Sequence, residues 1–485
     1  MPSLADEARY ALDNLADRTA ELFHPTLRIG VTGLSRAGKT VFITALVHNL
    51  LHGGRLPLLN AQAEGRIGRT YLEEQPDDAV PRFQYEEHVR TILEDRQWPQ
   101  STRAISELRL TIEFQSASGW SRLFSAGRIS LDIVDYPGEW LLDLPLLDKD
   151  FAAFSQESLE RASLPQRSAI ASPFLEMMRQ IDLAAPADEV TSQRLSASFA
   201  DYLRRCREDD AALSTLAPGR FLMPGDLEGS PALTFAPLPV TPGAEYPKNS
   251  FAAVHARRYE AYKTVVVKPF FREHFARLDR QILLVDAMQA INAGPDAVRD
   301  LETALTDILT CFRPGRASWL GGLLTRRVDR LLVAATKADH LHRESHRRME
   351  AIVRRLVNSA VQRAQFSGAQ TEVIAMAAVR ATREASVEDH GERLPVIVGT
   401  PLMGERIAGK LFDGETETAI FPGDLPKDPA ALLAAGDEAL ASMAPLTFVR
   451  FKPPRLEKDE SGLTLSLPHI RLDRALQFLI GDRLA

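Results

Sequence analysis

Residues 33–40 read GLSRAGKT, a glycine, lysine and threonine pattern that binds phosphate groups through the backbone. Gly33 and Gly38 allow the chain to curl so that successive N–H groups point inward, and the start of the following helix adds partial positive charge. An apolar run of strand length, 27–32, comes before the segment and a helical run, 41–51, comes after it. The sequence therefore predicts a polyphosphate site.

Two side chains of this phosphate loop have specific expected contacts. Lys39 would bridge the β- and γ-phosphates, and Thr40 would offer its hydroxyl to Mg²⁺. A chance glycine-rich turn is the alternative, and the flanking strand and helix argue against it. The residues that we expect to hold the phosphates are Gly33, Ser35, Arg36, Ala37, Gly38, Lys39, Thr40 and Val41.

A second candidate segment, DYPG at 135–138, follows the apolar run 129–134. An aspartate at the end of a buried strand can hold Mg²⁺ through water, so Asp135 is a candidate metal ligand. Gly138 can turn its N–H toward a γ-phosphate. Because D-x-x-G alone is a weak motif, an ordinary strand-ending turn is the alternative.

The TKAD segment at 336–339 predicts which base is bound. Asp339 can accept hydrogen bonds from both N1–H and the 2-amino group of guanine, a match that adenine cannot make, and the stem of Lys337 would lie over the base plane. A capped turn between strand and helix is the alternative. A later small-residue loop could present a backbone N–H to guanine O6. The residues expected at the base are Thr336, Lys337, Asp339, Ala377, Ala378 and Val379.

These motifs occur in an informative order. Phosphate loop, D-x-x-G, [NT]-K-x-D and a small-residue loop follow one another as in a Ras-like GTPase, each at the carboxyl end of a strand. Such a protein also needs a threonine before its antiparallel strand, and Thr102 fits, with Ser101 as the alternative. The sequence thus predicts GTP or GDP and Mg²⁺ as ligands, with a metal site formed by Thr40, Thr102 and Asp135.

The elements that position these motifs alternate between apolar runs of strand length and helical segments, which predicts an α/β fold with a mainly parallel sheet. A hairpin through 115–128 would supply one antiparallel edge strand. We expect a Ras-like P-loop NTPase fold with a helical insertion domain and a C-terminal extension that contains strands. The predicted strands are 27–32, 107–114, 129–134, 281–285, 331–335 and 372–375.

Interruptions of that alternation predict the domain organisation. The expected parts are an N-terminal amphipathic helix (1–25), a Ras-like GTPase domain (26–139 and 280–380, with an insertion at about 53–101), a mainly helical insertion domain (140–279), and a C-terminal extension (381–485). In that extension we expect strands at 394–402 and 446–454 and a closing helix at 473–482.

Composition excludes several classes of protein. The 485 residues carry a net charge of −7 and only two cysteines, which argues against nucleic-acid binding, a disulfide framework and a zinc site. No apolar run is long enough to span a membrane and no signal peptide is recognisable, so we expect a cytoplasmic protein. His342 and His346 lie four residues apart, and we interpret them as a solvated helix face rather than a metal pair.

With these motifs, the chain resembles a bacterial group, the YcjX-like GTPases, over nearly its whole length. The resemblance rests on the segments GLSRAGKT, DYPGEW, TKADH and FVRFKPP. It implies a Ras-like nucleotide domain with a helical domain, guanine-nucleotide binding, slow GTP hydrolysis and a link to envelope or stress responses.

Position 139 departs from the general GTPase pattern. Many relatives place a glutamine there to orient the attacking water, whereas this chain has Glu139, which an anionic γ-phosphate would repel. We therefore expect slow intrinsic turnover. Arg96 and Arg103 are candidates for a cation supplied by the chain itself, and otherwise a partner supplies it. The expected catalytic residues are Lys39, Thr102, Gly138 and Glu139.

Two loops at the other end of the predicted sheet combine apolar and cationic residues around Trp120 and Trp319. This mixture suits a protein partner or an anionic membrane surface, which makes peripheral contact with the inner membrane one hypothesis. Packing of these loops against the C-terminal strands or the N-terminal helix is the stronger alternative.

These residues together predict a GTP-hydrolysing regulatory switch. Two other classes of protein stay open. An ATP-dependent phosphotransferase would share the phosphate loop but has no use for the TKAD segment, and a nucleotide-stabilised scaffold would bind the nucleotide without turning it over.

Overall fold

The computed structural model describes most of the chain. The described residues are 25–34, 36–75, 77–100, 104–117, 127–208, 211–310, 328–366, 368–389, 392–407, 409–429, 446–456 and 466–485. Residues 1–24 of the predicted N-terminal helix, and the loops that carry Trp120 and Trp319, lie outside this set. None of the helices in these described ranges has the length and hydropathy needed to cross a membrane.

A seven-stranded sheet lies at the centre, with the strand order β2-β3-β4-β1-β5-β6-β7. Neighbouring strands are parallel except in the two pairs that β3 makes, with β2 and with β4. The predicted Ras-like α/β fold, with a mainly parallel sheet and an antiparallel strand toward one edge, is confirmed. The strands are β1 (Thr26–Gly33), β2 (Ile67–Glu73), β3 (Ser106–Phe114), β4 (Gly127–Asp135), β5 (Arg280–Val285), β6 (Arg330–Ala335) and β7 (Gln370–Ala375).

Strand β2 was not among the predicted strands. It pairs antiparallel with β3, from Glu73 beside Arg109 to Ile67 beside Phe114, within a segment that we interpreted as a polar insertion. Unlike the central strands, β2 has no buried residue. An edge strand has a partner on one side only and does not need the continuous apolar run that identified the central strands. The mixture of polar and apolar residues in β2 therefore gave no signal of a strand.

Helices cover both faces of this sheet. The apolar side of α1 and the closing helix α11 pack on one face, and α8, α9 and α10 pack on the other. Besides one short turn of helix at Asn60–Ala63, the described α-helices are α1 (Lys39–Leu51), α2 (Tyr85–Leu93), α3 (Phe151–Ala162), α4 (Pro165–Arg179), α5 (Glu189–Cys206), α6 (Phe251–Tyr262), α7 (Lys268–Glu273), α8 (Ala287–Ala293), α9 (Pro295–Thr310), α10 (Arg343–Phe366) and α11 (Leu472–Ile480).

The chain between β4 and β5 forms a helical layer with its own aromatic core. Helices α3, α5 and α6 each begin at a side chain that accepts a hydrogen bond from a first-turn N–H, which favours a helix start there. Inside the layer, the rings of Phe154 and Tyr259 stack with centroids 4.8 Å apart. The 3-10 segment Gly138–Asp148, which leaves β4, contributes Trp140 and Leu141 to this same core. The insertion is therefore packed onto the segment that directly follows DYPG.

The C-terminal extension contains a three-stranded antiparallel sheet in the order β12-β9-β8 and a two-stranded hairpin, β10-β11. The predicted strand at 446–454 is wrong: this segment forms no regular strand and has one isolated antiparallel bridge, between Phe451 and Pro401. Pro453 and Pro454 have no N–H to donate, which limits pairing on the C-terminal side of the bridge. The strands are β8 (Arg383–Asp389), β9 (Glu392–Gly399), β10 (Arg406–Ile407), β11 (Lys410–Leu411) and β12 (Thr418–Ile420).

A buried ion pair joins the helical layer to the α/β layer. Arg167 of α4 is 1% exposed, and its Nη2 lies 2.5 Å from Oδ1 of Asp300 in α9. The same guanidinium donates to the carbonyl and the hydroxyl of Thr215. Because both charges are out of water, removing one of them leaves the other without compensation.

We expect Arg167→Met to lower the free energy of unfolding by about 3 to 5 kcal/mol, because the Asp300 carboxylate stays buried without its cation. Chemical denaturation followed by circular dichroism measures this change. Arg204→Ala is the matched control, since Arg204 pairs with Asp201 at the surface and its loss should cost about 0.5 kcal/mol or less. Similar losses for the two variants would contradict the role assigned to Arg167.

Candidate functional site

One cavity of about 350 Å³ brings the predicted phosphate and base residues together. It opens at the carboxyl ends of β1, β6 and β7, where ligands bind in open α/β sheets. Asp339 and the phosphate loop, which are far apart in sequence, line the same space. The predicted residues that line it are Arg36, Ala37, Gly38, Lys39, Thr40, Val41, Thr336, Lys337, Asp339, Ala377, Ala378 and Val379.

The phosphate loop contains two residues in the left-handed conformation, of which only Gly38 was a predicted turn position. Gly38 has a φ of 86° and Arg36 a φ of 62°, so the chain turns sharply before α1 begins at Lys39. The left-handed conformation is natural for Gly38, whereas at Arg36 it costs conformational energy that the loop must offset. The Lys39 ammonium donates to the Gly33 carbonyl at 2.9 Å. Lys39 is therefore held at the mouth of the loop.

Two of the three predicted metal ligands belong to the described part of the chain. Thr40 is buried in the first turn of α1, and Asp135 is fully buried at the end of β4, where it pairs in register with Val31 of the phosphate-loop strand. A hydroxyl and a carboxylate fit Mg²⁺, which prefers oxygen ligands and keeps several waters. Thr102, the third predicted ligand, lies outside the described residues.

The DYPG turn packs directly on the phosphate loop. A Cβ atom added at Gly138 would lie 1.9 Å from the Gly33 carbonyl oxygen, so only glycine fits there. The next residue, Glu139, is 4% exposed, and its Oε1 lies 3.6 Å from Nη1 of Arg207, which follows α5 in the helical layer. Arg207 was not predicted, because nothing in the local sequence distinguishes it from the arginines in the last turn of α5.

The helical layer also holds the residues that follow Glu139. The Asp143 carboxylate accepts hydrogen bonds from the Gly219 N–H and the Tyr262 hydroxyl, both at 2.6 Å. The Arg220 guanidinium lies 3.2 Å from the ring centroid of Trp140, a cation–π contact. If this segment moves, the helical layer must therefore move with it, or the contacts of Asp143 and Trp140 with that layer must break.

At the base end, the TKAD segment makes an ion pair and a hydrogen bond with residues that the sequence did not identify. Lys337 is left-handed, with a φ of 59°, and its ammonium pairs with Asp286, which follows β5. The Asp339 carboxylate accepts the Ala381 N–H at 2.8 Å through Oδ2. Asp286 was not predicted, because a single aspartate after a strand matches no nucleotide-binding motif.

His346 forms hydrogen bonds with the backbone of the TKAD segment and of the residues that follow it. Its Nε2 lies 2.8 Å from the Ala338 carbonyl and 3.3 Å from that of Leu341. Burial lowers the pKa of His346, so the neutral ring donates from Nε2. The interpretation of this histidine as part of a solvated helix face was wrong. Within the described ranges, no three His, Cys, Asp or Glu side chains are placed to hold a metal ion.

The small-residue loop lines the cavity, but one of its donors is already used. The Ala377 N–H donates to the Ile470 carbonyl at 3.0 Å, and Ile470 returns a hydrogen bond at 2.8 Å. Of the three predicted loop residues, Ala378 and Val379 therefore remain the candidates for a contact with guanine O6.

Remote parts of the chain complete the cavity wall. Trp98 belongs to the first insertion, and its indole N–H donates to the Phe451 carbonyl at 2.6 Å. The ring of Phe451 in turn contacts the ring of His340 edge to face, with 5.3 Å between the ring centroids. The lining residues that were not predicted as nucleotide contacts are Phe42, Trp98, Pro99, His340, Met376, Leu402, Arg450 and Phe451. Because Trp98 and Phe451 are flat apolar side chains, they suit a purine or ribose face.

Positive charge converges at the phosphate end. Burial, followed by the nearby guanidinium groups of Arg450 and Arg207, lowers the pKa of Arg36, and Asp286 acts in the opposite direction. Arg36, Lys39 and Arg450 all line the cavity. Cations that destabilise one another in this way favour a bound polyanion.

Other predicted residues do not line the cavity. Among the described residues these are Arg96 and four residues of the phosphate-loop strand and the adjacent DYPG turn, namely Gly33, Asp135, Gly138 and Glu139. Arg96 lies in a neighbouring cleft, where its guanidinium donates to the Pro453 carbonyl at 3.2 and 3.3 Å, and this placement removes it as a source of charge at the phosphates. Ser35, Thr102 and Arg103 lie outside the described residues.

The fold and this cavity define a Ras-like P-loop protein. The family described as "YcjX-like family, DUF463" matches residues 27–484, so the chain belongs to that family and the resemblance seen in the sequence is confirmed. The Ras-like GTPase YcjX of Escherichia coli (strain K12) is 38% identical over 469 residues, which cover 94% of this chain and 96% of that protein. The Ras-like GTPase YcjX of Shewanella oneidensis is 34% identical over 498 aligned positions, 98% of this chain and 99% of that protein.

The contact between Asp143 and the helical layer makes stability depend on pH. Burial raises the pKa of Asp143 to about 6, although the Tyr262 and Gly219 hydrogen bonds oppose the shift. The folded protein therefore keeps this proton to a higher pH than the unfolded chain does. The contribution of Asp143 to stability is present at low pH and is lost as the pH rises through about 6.

We expect the free energy of unfolding of the wild type, relative to that of Asp143→Asn, to fall by about 2 kcal/mol between about pH 4.5 and about pH 7, because the amide cannot ionise. Urea denaturation at several pH values measures the difference. The exposed Asp201→Asn is the control and should follow the wild type at every pH. Parallel curves for the wild type and Asp143→Asn would rule out this account.

Proposed function

We propose that the protein binds GTP and hydrolyses it slowly, and that it acts as a regulatory switch between nucleotide states. The observation that carries the proposal is the shared cavity, in which Asp339 and the phosphate loop face one space. The names of the two relatives, Ras-like GTPases, support the same activity. The link to envelope or stress responses, which the family resemblance implies, remains a prediction.

Each residue has a defined part in the proposed reaction. The N–H groups at the start of α1 and the Lys39 ammonium would hold the β- and γ-phosphates and stabilise charge that develops on the oxygens. The Ala37 N–H is not among these donors, because it donates to the Leu34 carbonyl at 3.2 Å. The stem of Lys337 covers the base while its ammonium stays paired with Asp286. The Asp339 carboxylate selects guanine through two donors that adenine lacks. Mg²⁺, when bound beside Thr40 and Asp135, would neutralise phosphate charge.

The switch part of the proposal rests on the position of Gly138. Thr102 and Gly138 would contact the γ-phosphate only while it is present, so hydrolysis would release both segments. Gly138 leads directly into the 3-10 segment that ends in the helical layer. We therefore expect the nucleotide state to alter the packing around Trp140 as well as around Trp98.

Asp339→Asn should weaken GTP binding by about 10- to 100-fold and strengthen the binding of xanthosine triphosphate. The asparagine oxygen can keep the Ala381 N–H while its NH₂ group donates to the 2-oxo group of xanthine. Calorimetry with GTP, ATP and xanthosine triphosphate measures this, with the exposed Asp424→Asn as control. An unchanged preference, or ATP binding as tight as GTP binding, would favour a phosphotransferase.

Lys39→Ala should reduce multiple-turnover phosphate release by at least about 100-fold, because the phosphoryl charge loses its nearest side-chain cation. Phosphate release from GTP in the presence of Mg²⁺ measures this, and Lys452→Ala, whose ammonium pairs with Glu415 in another cleft, is the control. Wild-type protein that binds GTP but releases no phosphate would be the nucleotide-stabilised scaffold instead.

Tryptophan emission should differ between the GDP form and the form bound to a non-hydrolysable GTP analogue, because Trp98 lines the cavity and Trp140 is packed in the helical layer. Trp98→Phe and Trp140→Phe separate the two signals. If the spectra of the two nucleotide forms coincide, the protein does not switch in these segments.

A further inference from the structure

The helical layer reaches the DYPG turn through one arginine. Arg207 directly follows α5, and its N–H donates to the Arg204 carbonyl at 3.1 Å, which closes the last turn of the helix. A cation at the carboxyl end of a helix is favoured by the helix dipole. Its guanidinium then extends to Glu139, with 3.6 Å between Nη1 and Oε1 and exposed fractions of 26% and 4%. This ion pair is therefore partly shielded from water.

The ion pair between Glu139 and Arg207 lies close to the phosphate loop. Glu139 follows Gly138, which packs on the Gly33 carbonyl, so the carboxylate belongs to the turn that touches the phosphate loop. Arg207 also acts electrostatically on Arg36 of that loop. An uncompensated carboxylate there would be repelled by a γ-phosphate, since like charges a few ångströms apart interact strongly where water is scarce. The nearby guanidinium offsets that repulsion.

The ion pair is also held in place mechanically. The residues after Glu139 are fixed to the helical layer by the hydrogen bonds of Asp143 and by the contact of Arg220 with Trp140. Arg207 closes the last turn of α5 in the same layer, so both members of the ion pair are attached to the helical layer.

We infer that Arg207 is a positioning residue for GTP hydrolysis, which neutralises Glu139 and orients its carboxylate to accept a hydrogen bond from the attacking water. This inference rests on the proposed function. In the reaction, the water oxygen bonds to the γ-phosphorus, and the bond from that phosphorus to the β–γ bridging oxygen breaks. The electron pair of the broken bond leaves on GDP, and both water protons end on the released phosphate. Glu139 takes up no net proton.

Glu139 thus differs from the glutamine found at this position in many GTPases, because its charge has to be neutralised by a second residue. A glutamine amide orients water without a net charge, whereas a glutamate requires a cation to lie beside a triphosphate. In this chain the helical layer between β4 and β5 supplies that cation through Arg207. The predicted Arg96 of the first insertion does not, because its guanidinium contacts the Pro453 carbonyl. Arg207 acts through Glu139 and not by direct contact with the phosphate.

A double-mutant cycle tests this inference on the full-length protein. We expect Arg207→Ala to lower kcat for GTP by about 10- to 100-fold with KM changed by less than about threefold, and Arg207→Lys to restore part of the loss. In the Glu139→Gln background, where no carboxylate needs neutralising, Arg207→Ala should change kcat by less than about threefold. Arg204→Ala, one turn earlier at the surface, is the control.

Binding measurements separate positioning from a structural role. Arg207→Ala should bind GDP as the wild type does but lose about tenfold or more in affinity for GDP with aluminium fluoride, an analogue of the transferring phosphoryl group. Equal activity of Arg207→Ala and the wild type would overturn the inference. So would an equal loss in the wild-type and Glu139→Gln backgrounds, which would mean that Arg207 contacts the phosphate directly. Wild-type protein without GTP hydrolysis would instead overturn the proposed function.

Discussion

The site depends on one electrostatic constraint, because several cationic side chains lie close together around a single cavity. Arg36, Lys39 and Arg450 line one cavity, and Arg450 is paired with Glu405. Burial, followed by the guanidinium groups of Arg450 and Arg207, lowers the pKa of Arg36. Parallel strands make this possible, because their carboxyl ends open at one edge of the sheet. Such a concentration of positive charge is unfavourable in isolation, and a polyphosphate relieves it.

The segment after β4 links this cavity to the helical layer. In many globular proteins a loop near a ligand is free to move, whereas here Trp140 and Leu141 are part of a hydrophobic core and Asp143 is buried. A change at Gly138 therefore has to be accommodated by the packing of α5, α6 and the chain between them. This gives a physical route by which the presence of a γ-phosphate would reach a second layer of the protein.

Beside the small-residue loop, three regions that are far apart in sequence contribute to the base end of the cavity. The TKAD segment supplies Lys337 and Asp339, the first insertion supplies Trp98, and the C-terminal extension supplies Phe451. The hydrogen bond from the Trp98 indole to the Phe451 carbonyl joins the last two. The extension is thus part of the nucleotide cavity, although its distance along the chain gives no indication of this.

The sequence by itself determined the central strands and the motif residues, because a buried parallel strand needs a continuous apolar run and a phosphate loop needs glycines and lysine at fixed spacing. It did not reveal β2, whose edge position requires no such run, or His346, which looked like a surface residue. Arg207, Asp286, Trp98 and Phe451 also required the tertiary structure. Each is an ordinary residue in its local sequence, and only packing between distant segments brings its side chain to the site.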